Sequence, residues 1–141
     1  MIKEFIEKWN KYNKELKKYF KNTEQKKYSE YKDIIKSLFE IVINRDEEFD
    51  CYKFDTENIL VIDDGDYQGT QIFILHKDTY QPSIEEYVYT NTYYGSCSGC
   101  DTLLSISSYD DGLPTEEQVK DYMQLALHLL QRFKYMEEGD K

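Results

Sequence analysis

Two short stretches of this chain place reactive residue types close together. In Tyr93-Tyr94-Gly95-Ser96-Cys97-Ser98-Gly99-Cys100-Asp101, two of the three cysteines, Cys97 and Cys100, stand in a C-x-x-C spacing. In Asp63-Asp64-Gly65-Asp66-Tyr67-Gln68-Gly69, three carboxylates crowd a glycine-bounded turn. The thiols suit three readings. As half of a structural zinc site they need two more ligands in a tetrahedron, and only Cys51, His76 and His128 remain, with Asp101 a poor fourth. As a redox pair they need a following helix whose N-terminus stabilises the thiolate, and "DTLLSISS" is a poor helix former outside any βαβ unit. As a tight turn they need only Gly95 and Gly99, which accept positive φ, and small side chains between them. The turn reading is favoured, with no cofactor expected and zinc at Cys97 and Cys100 as the alternative. Backbone N–H groups from Gly95, Ser96, Cys97, Ser98, Gly99, Cys100 and Asp101 would then form a possible ligand turn.

The acidic stretch also invites a calcium reading, because Asp64, Asp66, Gln68 and Gly69 fall at positions one, three, five and six of an EF-hand-like loop. Position twelve should be a bidentate Glu and is Leu75, and the flanks read as strands, not helices. Asp63, Asp64 and Asp66 could hold Mg²⁺ or transfer protons, but no nucleophile or phosphate loop accompanies them. A solvated hairpin turn fits better. His76 and His128 are isolated, with His128 expected between buried helical positions, and the chain has no Ser-His-Asp order, P-loop or dinucleotide fingerprint.

Charge points toward a partner. The chain has 141 residues and a net charge of -10, and it divides sharply. Residues 1–36 hold 11 Lys against 6 Asp and Glu, whereas residues 37–141 hold 7 Lys and Arg against 22 Asp and Glu. Such an acidic surface is repelled by nucleic acid and attracted to a basic protein surface, so no direct nucleic-acid binding is expected. Asp46, Glu47, Glu48, Asp50, Asp63, Asp64 and Asp66 are the carboxylates expected to meet that partner, with Tyr67, Tyr93 and Tyr94 supplying contact area. Tyrosine, present 14 times, buries a ring while keeping a polar tip wet. No apolar run is long enough for a membrane span, and Lys3, Glu4, Glu7 and Lys8 interrupt any signal-peptide core. Three cysteines make no disulfide framework, so a reducing, cytoplasmic location is expected.

The elements that must position these residues read as a single α+β domain over 1–141. Ile2, Phe5, Ile6, Trp9, Tyr12, Leu16, Tyr19 and Phe20 recur at helical spacing. Asn22 or Thr23 would cap a second helix running to about Asn44, with Tyr28, Tyr31, Ile34, Ile35, Leu38, Phe39 and Val42 on its apolar face. The two form an N-terminal helical hairpin over 1–44. Residues 50–108 read as an antiparallel sheet of four to five strands: "CYKF" (51–54), "ILVID" (59–63), "TQIFILH" (70–76) and "EYVYTNTYY" (86–94), with "TLLSISS" (102–108) a weak strand or a short turn of helix. The continuous apolar run 59–63 predicts a central, buried strand. Thr115 and Gln118 make a capping box for a C-terminal helix over 115–137, with Val119, Tyr122, Met123, Ala126, Leu129, Leu130 and Phe133 buried. Runs of helices and strands without alternation predict helices covering one face of the sheet.

"YGSCSGCDTL" resembles a G-S-C-S-G-C-D-x-L segment of small uncharacterised proteins from bacteriophages and prophage-carrying bacteria, and "DDGDYQGTQIFIL" is similar to the D-D-x-x-Y-Q-G segment that precedes it there. The resemblance covers about residues 63–76 and 94–104, and departs at "DTLLS", where the family often has Gln after the Leu. It implies a phage or prophage origin and no chemistry. Together these features predict a non-enzymatic, phage-encoded interaction protein that binds and inhibits a host or defence-system protein, an anti-CRISPR-type inhibitor being one concrete form. The alternatives are a small zinc-binding or redox protein built on Cys97 and Cys100, and a sponge for a small ligand.

Overall fold

In the computed structural model, which describes residues 2–25, 30–45, 47, 49, 52–65, 69–95, 102–107 and 112–136, the first apolar stripe folds as its spacing predicts. Helix α1 (Lys3–Lys21) buries Phe5, Trp9, Leu16 and Phe20, while Lys3, Lys11, Lys14, Lys17, Lys18 and Lys21 face solvent. Asn22 and Thr23 do not start the second helix; they end the first. The Asn22 side-chain amide donates to Lys18 O at 2.9 Å and the Thr23 hydroxyl to Tyr19 O at 2.6 Å. Such side chains can satisfy either end of a helix, because they reach carbonyls as well as amides. Helix α2 (Tyr31–Leu38) starts instead at Glu30, which forms a reciprocal capping box with Asp33.

Helix α2 runs on as a π turn over Phe39–Ile43, closed by Asn44 N–H donating five residues back to Phe39 O at 2.8 Å. The wide turn buries Phe39, Val42 and Ile43 together. Phe39 and Phe5 pack edge to face at 5.5 Å, and each also meets Phe54 and Phe133, with centroids 5.1 to 5.8 Å apart. This aromatic cluster joins α1, the π turn and both ends of the sheet-forming segment. Edge-to-face pairs of this kind add stability beyond the area they bury.

The sheet has four antiparallel strands in the order β1-β2-β3-β4: β1 (Leu60–Asp63), β2 (Gly69–His76), β3 (Tyr87–Tyr94) and β4 (Lys134–Tyr135). Helices α3 (Thr102–Ser107) and α4 (Glu116–Gln131) lie between β3 and β4. The architecture is thus α+β, with helical N- and C-terminal regions around an antiparallel sheet. Three expectations need correction. The stretch 51–54 forms no strand among its described residues; Phe54 makes a single bridge to Lys77. Strand β1 is an edge strand, not a central one, and Leu60 and Ile62 are 55% and 46% exposed. The C-terminal helix stops at Gln131, and the chain turns through fully buried Phe133 into β4, where Met136 N–H donates to Tyr87 O at 2.9 Å.

Helix α4 opens with the predicted capping box between Thr115 and Gln118 and buries Val119, Tyr122, Leu125, Ala126, Leu129 and Leu130. Met123 is only partly buried. The helix is tied to the sheet by the Thr90 hydroxyl, which donates to Leu129 O at 3.0 Å inside the core. Among the described residues, no helix is long and apolar enough to cross a membrane.

Candidate functional site

The acidic turn between β1 and β2 is built by its own carboxylates. Asp63 accepts from Gly65 N–H at 3.0 Å, from the Gln71 amide at 3.1 Å and from the Tyr94 hydroxyl at 2.6 Å. These donors, Tyr94 foremost, hold the Asp63 carboxyl below its usual range. The same hydroxyl lies 2.7 Å from Gly65 O. A phenol has one hydrogen, so it is shared between the two acceptors. Asp64 accepts from Thr70 N–H at 2.7 Å and donates its own N–H to Thr70 O at 3.2 Å. A Cβ at Gly69 would stand 2.5 Å from an Asp64 carboxylate oxygen and 3.1 Å from the Gly65 backbone, so a side chain there would displace the Asp64 carboxylate from Thr70 N–H. Asp63 and Asp64 therefore shape the hairpin first, and any partner meets carboxylates already engaged. Asp66 and Tyr67 lie outside the described residues.

The cysteine turn is known by its frame. Gly95 is buried at the end of β3; Ser96, Cys97, Ser98, Gly99, Cys100 and Asp101 lie outside the described residues, as does Cys51. The segment after the turn, read as a weak strand or a turn of helix, is the six-residue helix α3. Leu103 is 2% exposed, and its N–H donates to the Tyr31 hydroxyl at 3.0 Å. Gln118, beyond its capping role, donates to Ile106 O at 3.1 Å. Tyr122 donates to the Gln25 side chain at 2.7 Å, and that side chain also reaches Gln118 at 3.4 Å. Tyr31, Gln25, Gln118 and Tyr122 thus pin α3 to the other helices, a role that spacing does not reveal.

The two histidines do not converge on a site. His76 Nδ1 lies 2.8 Å from Lys77 O and its ring leans on Tyr87 at 5.4 Å. His128 is exposed on α4, between the buried positions Leu125, Ala126, Leu129 and Leu130. Among the described residues, no group of three or more His, Cys, Asp or Glu is arranged to hold a metal ion.

Of the remaining residues expected to meet a partner, Glu47 pairs with Lys8 at 3.3 Å, and Asp46, Glu48 and Asp50 lie outside the described residues. Tyr93 and Tyr94 part company. Successive strand residues face opposite sides of a sheet, so Tyr94 turns inward toward Asp63 while Tyr93 stands 52% exposed on the outer face.

That outer face is the feature that residue-by-residue reading misses. Every buried strand residue lies on the inner side: Phe73, Leu75, Val88, Thr90 and Thr92. The outer side carries Leu60 opposite Ile74 opposite Tyr89, and Ile62 opposite Ile72, with Tyr87 and Tyr93 beyond; Asn91 opposite Ile72, Thr70, His76 and Lys134 interleave them. None of the seven Leu, Ile and Tyr residues is buried, and Leu60, Ile62 and Tyr93 are about half exposed. A cluster of exposed and half-buried apolar side chains on one sheet face commonly marks a contact surface. The signal was present in the alternation of both strands, where each face in turn reads apolar. No protein-family model, curated protein or solved structure matches the chain.

Proposed function

We propose that this protein is a binding module that docks a basic partner protein on the outer face of its sheet. The observation that supports the reading is the outer-face set Leu60, Ile62, Ile72, Ile74, Tyr87, Tyr89 and Tyr93, none of them buried. Aromatic and aliphatic anchors of this kind dominate protein interfaces when water is excluded from them. Charge selects the partner: from Phe54 to His76 the sequence has five carboxylates and neither Lys nor Arg, so basic surfaces are steered toward it. In its narrowest form the module is a phage-encoded inhibitor that occupies a basic channel of a host or defence protein.

The test compares capture of bacterial host proteins by the intact chain and by an Ile62→Lys, Ile74→Lys variant whose circular dichroism is unchanged. A partner held by the intact chain, released by that variant and retained by a Lys14→Glu, Lys18→Glu variant of α1 supports the outer face. Equal capture by the outer-face variant overturns it.

A further inference from the structure

Strand β1 offers an open edge as well as a face. The Asp64 N–H donates toward β2, to Thr70 O. Because antiparallel bonding alternates along a strand, Leu60 and Ile62 also aim their main-chain groups at β2. Val61 and Asp63 aim theirs the other way. Among the described residues, no strand pairs with β1 on that side. Proteins guard such an edge with shortness, charge, proline or a bulge. Strand β1 is four residues long and has one charge, Asp63 at its end, with no lysine or proline along Leu60-Val61-Ile62.

We propose that β1 is extended by a strand from the partner, a segment with apolar residues at alternate positions and Lys or Arg between them. The inference rests on the docking role proposed above and names its mode. The alternation follows from the two sides of β1. On the outer side an added strand continues the apolar row beside Leu60 and Ile62; on the inner side it passes Val61, which packs on the core, and then Asp63. Carboxylates stand at both ends of the strand, Asp55 and Glu57 before it, Asp63 at its last position and Asp64 after it. One of the four, Glu57, is paired with Lys36 at 3.3 Å. This charge favours a basic strand and disfavours a second copy of the chain, whose own edge carries the same sign.

Hydrogen exchange of the full-length protein, read by NMR, tests the mode. The probe is a synthetic heptapeptide of alternating lysine and valine, set against a glutamate-valine version and a version N-methylated at alternate residues. The lysine peptide is expected to slow exchange at the Val61 and Asp63 amides by about tenfold or more, and the two controls to leave them unchanged. Binding that shifts Ile72, Ile74 and Tyr89 without protecting those amides overturns the edge while leaving the docking face intact. Concentration-dependent protection of the same amides in the peptide-free protein overturns it in favour of self-pairing. Absence of binding by the lysine peptide overturns it as well, and the docking face is then judged by the capture experiment alone.

Discussion

The two faces of one sheet both carry large apolar side chains, in opposite surroundings. On β2, Leu75 is fully buried while its neighbour Ile74 keeps contact with solvent. On β3, Val88, Thr90 and Thr92 are buried while Tyr89 and Tyr93 are not. The inner face has α4 against it, tied by the Thr90 hydroxyl, and the aromatic cluster at its margin. The difference teaches that apolar character on a strand marks a surface to be covered without saying by what. On the inner face the cover is the chain itself, and on the outer face we assign it to a partner.

The comparison breaks most readily at the inner margin. Phe39→Ala removes a fully buried ring that touches Phe5, Phe54 and Phe133, and is expected to lower stability by about 3–5 kcal/mol in denaturant unfolding. Next comes the direct contrast on one strand. Leu75→Ala is expected to cost about 2–4 kcal/mol and Ile74→Ala under about 1 kcal/mol, because only the first leaves a cavity. Equal costs would show that the outer face is packed within the chain. A smaller effect is expected for Thr90→Val, which deletes the hydroxyl bond to Leu129 O while Arg132 N–H still donates to that carbonyl. About 1 kcal/mol is expected, measured by the same unfolding curves.

The smallest effect sharpens the comparison at the acidic turn and is read against pH. Asp63 has its folded pKa lowered, first by Tyr94 and then by Gly65 and Gln71. Its contribution to stability is therefore present above the unfolded value, about 4, and is lost as pH falls through the lower folded value. Tyr94→Phe removes the leading donor. The variant should lose less stability than the intact protein on acidification through that window, with the two curves converging at the acid end. Tyr135 gives the opposite limb. Burial first, and the nearby Glu4 charge second, raise its phenol above 10. Stability linked to it is complete below about 10 and falls as pH rises toward the folded value.

Much of the fold was legible where a period is enforced by burial. The spacing of Phe5, Trp9, Leu16 and Phe20, the capping box at Thr115 and the 59–76 hairpin all appear as expected. Errors arose where one pattern has two physical meanings. The run 59–63 is apolar on both faces because one side meets the core and the other is left open, so it resembled a central strand. Asn22 and Thr23 suit both ends of a helix. Strand β4 is two residues long, too short for any alternation to show. The candidate site was least legible, because a docking face is a property of paired strands and no single motif encodes it. Asp63 and Asp64 read as partner-facing charge, yet Asp63 is engaged by Gln71 and Tyr94 and Asp64 by the Thr70 N–H, groups brought near only by the register of β1, β2 and β3.

The π turn at the end of the second helix makes spacing, more than side-chain identity, the quantity under constraint there. Asn44 emerges from it to bracket Phe54, donating its side-chain amide to Phe54 O at 3.0 Å and accepting from Phe54 N–H at 2.8 Å. An ordinary helical turn needs one residue fewer than this one. Loss of a single residue between Phe39 and Asn44 would let the Asn44 N–H close an ordinary turn on the same Phe39 carbonyl, with three residues instead of four between them. Asn44 would keep its place, and the core would lose one of the side chains that the wide turn buries, although every residue type remained acceptable. The segment should tolerate exchange among large apolar side chains and reject changes in length, the reverse of what is usual for residues next to a loop.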